Sequence, residues 1–182
     1  MWEALYAIAD KYAAEVVTDL LRDMLIPRFL ETSPLRVYAL ASHWGLEGEA
    51  KIASTGTLKT DISKDFPRED AELMGGAGCQ QLYFLHLSRR EAARALICEH
   101  PPPTPGGLFC RCLPPPEHTI LVQSLCQRVA KIPWLTAEEL YEDAAKYLYP
   151  NRCGDFCRNT VTNVHVYCSS ILKGISELPQ TI

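Results

Sequence analysis

The sequence predicts an all-α protein. Apolar residues recur at steps of three and four along most of the chain, which is the period of an amphipathic helix. No stretch shows the sustained alternation, rich in valine and isoleucine, that is typical of β-strands. The chain has 182 residues, 47% of them hydrophobic, which is enough to bury a core. We therefore expect helices joined by short turns and no substantial sheet.

The segment from Met1 to Met24 carries an apolar stripe with charged residues mostly off it. The stripe consists of Leu5, Ile8, Tyr12, Val16, Leu20 and Met24. This pattern predicts either one long helix or two short helices broken near Ala13 and Ala14.

Two further helices are expected over residues 34–62. Ser33 followed by Pro34 predicts a helix start, because serine can cap free amides and proline at the first position loses no needed donor. Gly45 ends this helix, and the next begins at residue 46 or 47 and runs to about Ile62.

A short internal repeat links these two regions. The segment "YAIADKY" at residues 6–12 reappears as "YALASHW" at residues 38–44, and Glu15 and Glu47 are separated by the same offset. Two copies of a helix, tight turn, helix unit would explain the repeat.

The rest of the chain contains one strong linker signal. Turn residues and adjacent glycines predict a loop with at most a short helix at residues 63–78, before a helix at 79–99 whose arginines lie off the apolar face. Seven prolines and two glycines fill residues 101–116, which favours an extended linker over helix. The last helices are expected at residues 119–131, 136–149 and 154–178, with a capping box of Thr136 and Glu139 at the middle one.

Three segments within residues 1–62 carry a family resemblance. They are "ALYAIADKY", "RFLETSPLRVYALA" and "GLEGEAKIAS". Together they resemble the helical C-terminal part of a BTB/POZ domain of the fungal type, running into BACK-like helices. The predicted organisation is then a BTB C-terminal and BACK-like lobe at 1–62, a loop and bridging helix at 63–99, a proline-rich linker at 100–118 and a C-terminal three-helix lobe at 119–182.

The resemblance implies a non-catalytic protein-interaction module. The strand-rich half that begins a BTB domain is missing here, so we expect a fragment or a shortened form of such a protein. Its expected partners are other proteins, of BTB type or ubiquitin-ligase scaffolds. Binding would use the apolar stripe that the missing half leaves uncovered, with Leu5, Ile8, Tyr12 and Val16 as contact residues. The same stripe could instead be buried within the chain.

The cysteines suggest an alternative function, a small zinc-stabilised helical domain. Zinc takes four thiolate or imidazole ligands, commonly supplied in pairs two to four residues apart. Cys110 and Cys112 would form one half of the site, although they are closer together than usual. The other half would be Cys153 and Cys157, which have the common spacing, or Cys98 and His100. No other cofactor is expected.

Burial is a competing interpretation of the C-terminal cysteines. An apolar seam runs through the last helix at steps of four and three, and it consists of Cys157, Val161, Val164, Cys168, Ile171, Ile175 and Leu178. On this seam a cysteine acts as a small apolar side chain with an inert thiol. Cys153 lies off the seam at the expected helix start, where a reactive thiol is the alternative.

Charge and motifs exclude several other functions. The net charge is −4 with no long basic run, which disfavours binding to nucleic acid or anionic membranes. Charged residues interrupt every apolar run near the start, so we expect a soluble intracellular protein, cytoplasmic or nuclear. The sequence has no GxSxG, phosphate loop or HExxH motif, and His43 and His165 fall within predicted helices. We therefore expect no enzymatic activity.

Overall fold

The computed structural model of the chain describes residues 2–64, 66–100, 115–148 and 158–181. These residues form α-helices and no strand, as predicted. The helices are α1 (Trp2–Lys11), α2 (Glu15–Phe29), α3 (Pro34–His43), α4 (Glu47–Thr57), α5 (Arg68–Glu99), α6 (Pro115–Lys131), α7 (Ala137–Leu148) and α8 (Arg158–Glu177). Among them, none is long and apolar enough to cross a lipid bilayer.

The chain divides into two compact units. Unit 1 comprises Met1–Leu85 with Gln180–Ile182, and unit 2 comprises His86–Pro179. The boundary falls within α5, so the structure divides the chain differently from the predicted limits at residues 62, 99 and 118. Hydrophobic periodicity locates helices well, but it does not show which helices share a core.

Unit 1 begins with two helical hairpins that follow the internal repeat. The offset that separates Tyr6 from Tyr38 also separates the limits of α1 from those of α3, and the start of α2 from the start of α4. The chain therefore breaks at residues 12–14, and the two-helix alternative for the first segment is correct. The structure extends α2 to Phe29, beyond the predicted stripe, and ends α4 at Thr57, before the predicted Ile62.

The turns inside the two hairpins have the same backbone geometry. Ala13 has φ 47° and Gly45 has φ 70°, so both occupy the left-handed region. In each turn a backbone amide reaches five residues back, from Ala14 N to Ala9 O at 2.8 Å and from Leu46 N to Ala41 O at 2.8 Å. Glycine adopts this conformation without steric cost, whereas alanine at the equivalent position is strained.

The core of unit 1 lies around α3. Every residue from Leu35 to Ala41 except Arg36 is buried, and Leu25 of α2 and Leu82 of α5 belong to the same apolar cluster. Tyr38 is fully buried, and its hydroxyl donates a hydrogen bond to Gly78 O at 3.1 Å. Because α3 is covered on nearly all sides, it is the central helix of this unit.

Helix α5 begins earlier than predicted. The sequence predicts a loop with at most a short helix at residues 63–78, but the chain is helical from Arg68 and is interrupted only at Gly75. The backbone there has φ 68° and ψ 178°, which glycine accommodates readily. The glycine-rich sequence therefore marks a kink of one residue instead of a loop.

Unit 2 is built from the second part of α5 with α6, α7 and α8. Leu121 and Leu125 of α6, Leu140 of α7 and Ile171 of α8 are fully buried in one cluster. The capping box at the start of α7 is confirmed, because Glu139 N donates to Thr136 Oγ1 at 3.2 Å and Thr136 N donates to Glu139 Oε2 at 2.9 Å. On α8, the predicted burial of Val164, Cys168, Ile171 and Ile175 is also confirmed.

Two predictions for this unit are wrong. Residues 115–118 belong to the predicted linker, but α6 starts at Pro115. Proline is tolerated in a first helical turn, where its missing N–H would have no partner within the helix. The sequence also predicts Arg89 on the outer face of its helix, yet only 1% of it is exposed.

Candidate functional site

The most prominent surface feature of unit 1 is apolar and lies on α1 and α2. Of the twelve large hydrophobic residues that are exposed in the described part of the chain, seven fall between residues 5 and 24. They are Leu5, Ile8, Tyr12, Val16, Val17, Leu20 and Met24. We call these seven residues the N-terminal stripe.

Helical phase explains why these side chains face outward. On α1, Tyr6 and Ala9 point into the unit and contact Leu21 of α2. The ring of Tyr6 stacks on Trp44, with the ring centroids 3.7 Å apart and the planes 9° from parallel. Leu5 and Ile8 each precede one of these inward residues and so lie about 100° around the helix from it, where they are directed to solvent.

The exposure is greatest where the two helices meet in sequence. Tyr12 follows the end of α1 and is 72% exposed, and Val16 in the first turn of α2 is 83% exposed. The sequence leaves open whether the stripe is buried within the chain or exposed. In unit 1 all four predicted contact residues, Leu5, Ile8, Tyr12 and Val16, are exposed.

A groove of about 710 Å³ lies beside the stripe, between α2 and the start of α4. Its apolar lining includes Ile26 and the exposed Ile52. Its charged lining consists of Arg22, Asp23, Glu47 and Glu49. Arg22 already pairs with Glu49 at 3.4 Å, so the remaining charge of the groove is negative.

The structure describes only part of the predicted zinc site. Cys110, Cys112, Cys153 and Cys157 all lie outside the described residues, so zinc binding by this set stays a prediction. Of the alternative pair, His100 Nδ1 lies 3.0 Å from Leu96 O, and Cys98 Sγ lies 3.8 Å from Cys126 Sγ. Within the described ranges, no group of three or more His, Cys, Asp or Glu side chains is placed to hold a metal ion.

The sequence did not predict a small polar cluster on unit 2. The Tyr141 hydroxyl lies 2.9 Å from His165 Nδ1, and the Ser169 hydroxyl lies 3.4 Å from the same nitrogen. His165 and Ser169 are exposed, and Tyr141 is partly buried. The cluster joins α7 to α8, and the spacing of His165 and Ser169 by one helical turn is the only part of it that the sequence could have indicated.

Comparison of the chain with known protein families, curated proteins and solved structures found no match. The resemblance of residues 1–62 to a BTB/POZ domain therefore stays a prediction from sequence. The candidate site rests on the geometry of the N-terminal stripe and the groove beside it.

Proposed function

We propose that this protein is a non-catalytic protein-interaction module and that the N-terminal stripe is its contact surface. The observation that carries the proposal is the concentration of exposed apolar side chains on α1 and α2. Scattered apolar residues are normal on a protein surface, but a cluster on one element is typical of a docking site.

Burying the stripe would yield substantial free energy. Complete burial of one aliphatic side chain is worth about 1.5–3 kcal/mol. Val16, at 83% exposure, and Ile8, at 55% exposure, therefore retain much of that gain for an interface. Apolar residues at successive helical turns are the arrangement by which a helical surface binds an apolar partner.

The groove beside the stripe indicates the charge of the partner. Asp23 and Glu47 line it, and Arg22 is neutralised by Glu49. A partner that presents apolar side chains to the stripe and a lysine or arginine to the groove would complement both features. The resemblance to BTB domains supplies the first partner to test, the strand-rich N-terminal half of a fungal-type BTB domain.

The experiment titrates the separately expressed strand-rich half into the full chain and measures affinity by calorimetry. Val16→Gln should weaken binding about tenfold or more, because a polar amide replaces an apolar contact. Raising the salt concentration should weaken binding further by screening the groove.

The matched control is Val166→Gln on α8. Val166 is 64% exposed and lies in unit 2, so the change is chemically the same but falls outside the stripe. It should leave the affinity unchanged. The proposal fails if the full chain is monomeric by light scattering and does not bind the strand-rich half, or if both variants weaken binding equally.

A further inference from the structure

Two cysteines of unit 2 lie in contact although they are 28 residues apart in sequence. Cys98 is near the end of α5, and Cys126 is within α6. Their sulfur atoms are 3.8 Å apart. This is close to van der Waals contact, and the sulfurs must approach further to reach the disulfide separation of about 2.05 Å.

The two thiols differ in their surroundings. Cys98 is exposed, whereas Cys126 is partly buried and packs against the core of unit 2. Burial raises the pKa of Cys126, its hydrogen bond with Cys98 raises it further, and Arg94 acts in the opposite direction. Cys98 is therefore the thiol that an oxidant in solution can reach first.

We infer that Cys98 and Cys126 form a reversible disulfide by exchange with a low-molecular-weight disulfide such as glutathione disulfide. The Cys98 thiolate attacks one sulfur of glutathione disulfide, a mixed disulfide forms on Cys98, and one glutathione thiolate leaves. The Cys126 thiolate then attacks the Cys98 sulfur, the protein disulfide forms, and the second glutathione leaves. The two thiol protons pass to the two glutathione thiolates, and the two electrons that reduce the oxidant come from the protein thiols.

The position of the pair gives the bond a defined consequence. It would join the end of α5 to α6 and close the chain between them into a loop. That loop contains Cys110 and Cys112 of the predicted zinc site. Closing a loop of this length restricts the unfolded chain, so the oxidised protein should unfold at a higher temperature than the reduced one.

The experiment incubates the full chain with glutathione disulfide, blocks the remaining thiols and maps the linked peptides by mass spectrometry. Cleavage after Arg and Glu separates the four neighbouring cysteines, because Cys98 falls in peptide 95–99, Cys110 in 100–111, Cys112 in 112–117 and Cys126 in 118–128. We expect the pair of peptides 95–99 and 118–128 to be the most abundant linked species. Dithiothreitol should remove it.

Two variants keep the test decisive. Cys126→Ser should retain glutathione on Cys98 and lose the link, and Cys98→Ser, which changes an exposed position, should lose the link as well. Cys79→Ser is the control and should keep the link, because Cys79 lies in unit 1 and its thiol donates to Ala71 O at 3.6 Å. The inference is overturned if Cys98 is recovered mainly as the glutathione adduct in the wild type, or mainly linked to another cysteine.

Discussion

Replacing Arg89 by methionine tests how much its buried guanidinium contributes to the stability of unit 2. The guanidinium donates four hydrogen bonds to backbone carbonyls. Nε donates to Pro133 O at 3.0 Å, and the terminal nitrogens donate to the oxygens of Ile175, Leu178 and Pro179, each at 2.8 Å. Three of these acceptors lie at the end of α8 or just after it, where carbonyls lack the usual amide partner four residues on, and Ile175 O also accepts from Leu178 N at 3.3 Å. Arg89 therefore caps α8 from a neighbouring helix.

The expected loss of stability follows from the acceptors that methionine cannot satisfy. The bonds to Pro133 O and Ile175 O are buried, and a hydrogen bond from a charged donor contributes about 1.5–3 kcal/mol, so losing these two costs about 3–6 kcal/mol. Burial also lowers the pKa of Arg89, which reflects the cost of placing the cation away from water. Removing the buried charge offsets part of this cost, which leaves an expected net destabilisation of about 3 kcal/mol.

The assay is urea unfolding followed by the fluorescence of Trp134. Trp134 lies in unit 2, and its ring is 5.5 Å from the Arg89 guanidinium. Trp2→Phe and Trp44→Phe in the background remove the other two tryptophans, so the signal reports on unit 2 alone. The matched control is Arg90→Met, because Arg90 donates one bond, to Lys131 O at 2.9 Å, and should cost about 1 kcal/mol or less. If the unfolding free energies of the two variants differ by less than about 1 kcal/mol, Arg89 does not cap α8.

Two further predictions concern the helix termini. Ala13→Gly should raise the unfolding free energy by about 1 kcal/mol and Gly45→Ala should lower it by a similar amount, because both positions have positive φ and no atom lies within 4 Å of a Cβ at Gly45. Thermal unfolding followed by circular dichroism checks both predictions. If both substitutions raised the unfolding free energy, or both lowered it, the result would contradict the reasoning. Burial raises the pKa of Glu139, but hydrogen bonds from Thr136 and the charge of Arg128 outweigh it and hold this pKa below its ordinary value of 4.5. The stabilisation is therefore present above pH 4.5 and is lost as the pH falls through the lowered pKa, so Glu139→Gln should be less stable than the wild type at neutral pH and equally stable in acid. The measurement is the melting temperature of both proteins between acid and neutral pH. A difference in stability that persists in acid would count against the Glu139 carboxylate as the cause of that difference.

The local features of this fold were predictable from sequence because they depend on residues close together in the chain. Pro34 at the first helical position predicts the start of α3, although the Ser33 side chain makes no capping hydrogen bond, and the internal repeat predicts two hairpins. The start of α6 was not predicted, because a run of prolines usually excludes a helix although its first turn accepts them.

The spacing of apolar residues on α5 indicates that Arg89 is buried, but an arginine is usually expected at the surface. Leu82, Leu85 and Ala93 are buried on the same helix, and Arg89 continues their spacing of three and four residues. The charge of an arginine nevertheless favours a surface position, whatever its phase on the helix. Its acceptors come from segments more than forty residues away, so only the folded chain reveals them.

The sequence by itself determined that this protein is helical, where most of its helices lie, and that one face of α1 and α2 is apolar. Periodicity specifies such a face completely, since it depends only on neighbours one or two turns away. Tertiary structure decided that this face is exposed in unit 1, that Arg89 is buried, and that Cys98 meets Cys126. Each of these outcomes depends on which distant segments pack together, and a helical pattern carries no information about the partner that will cover it.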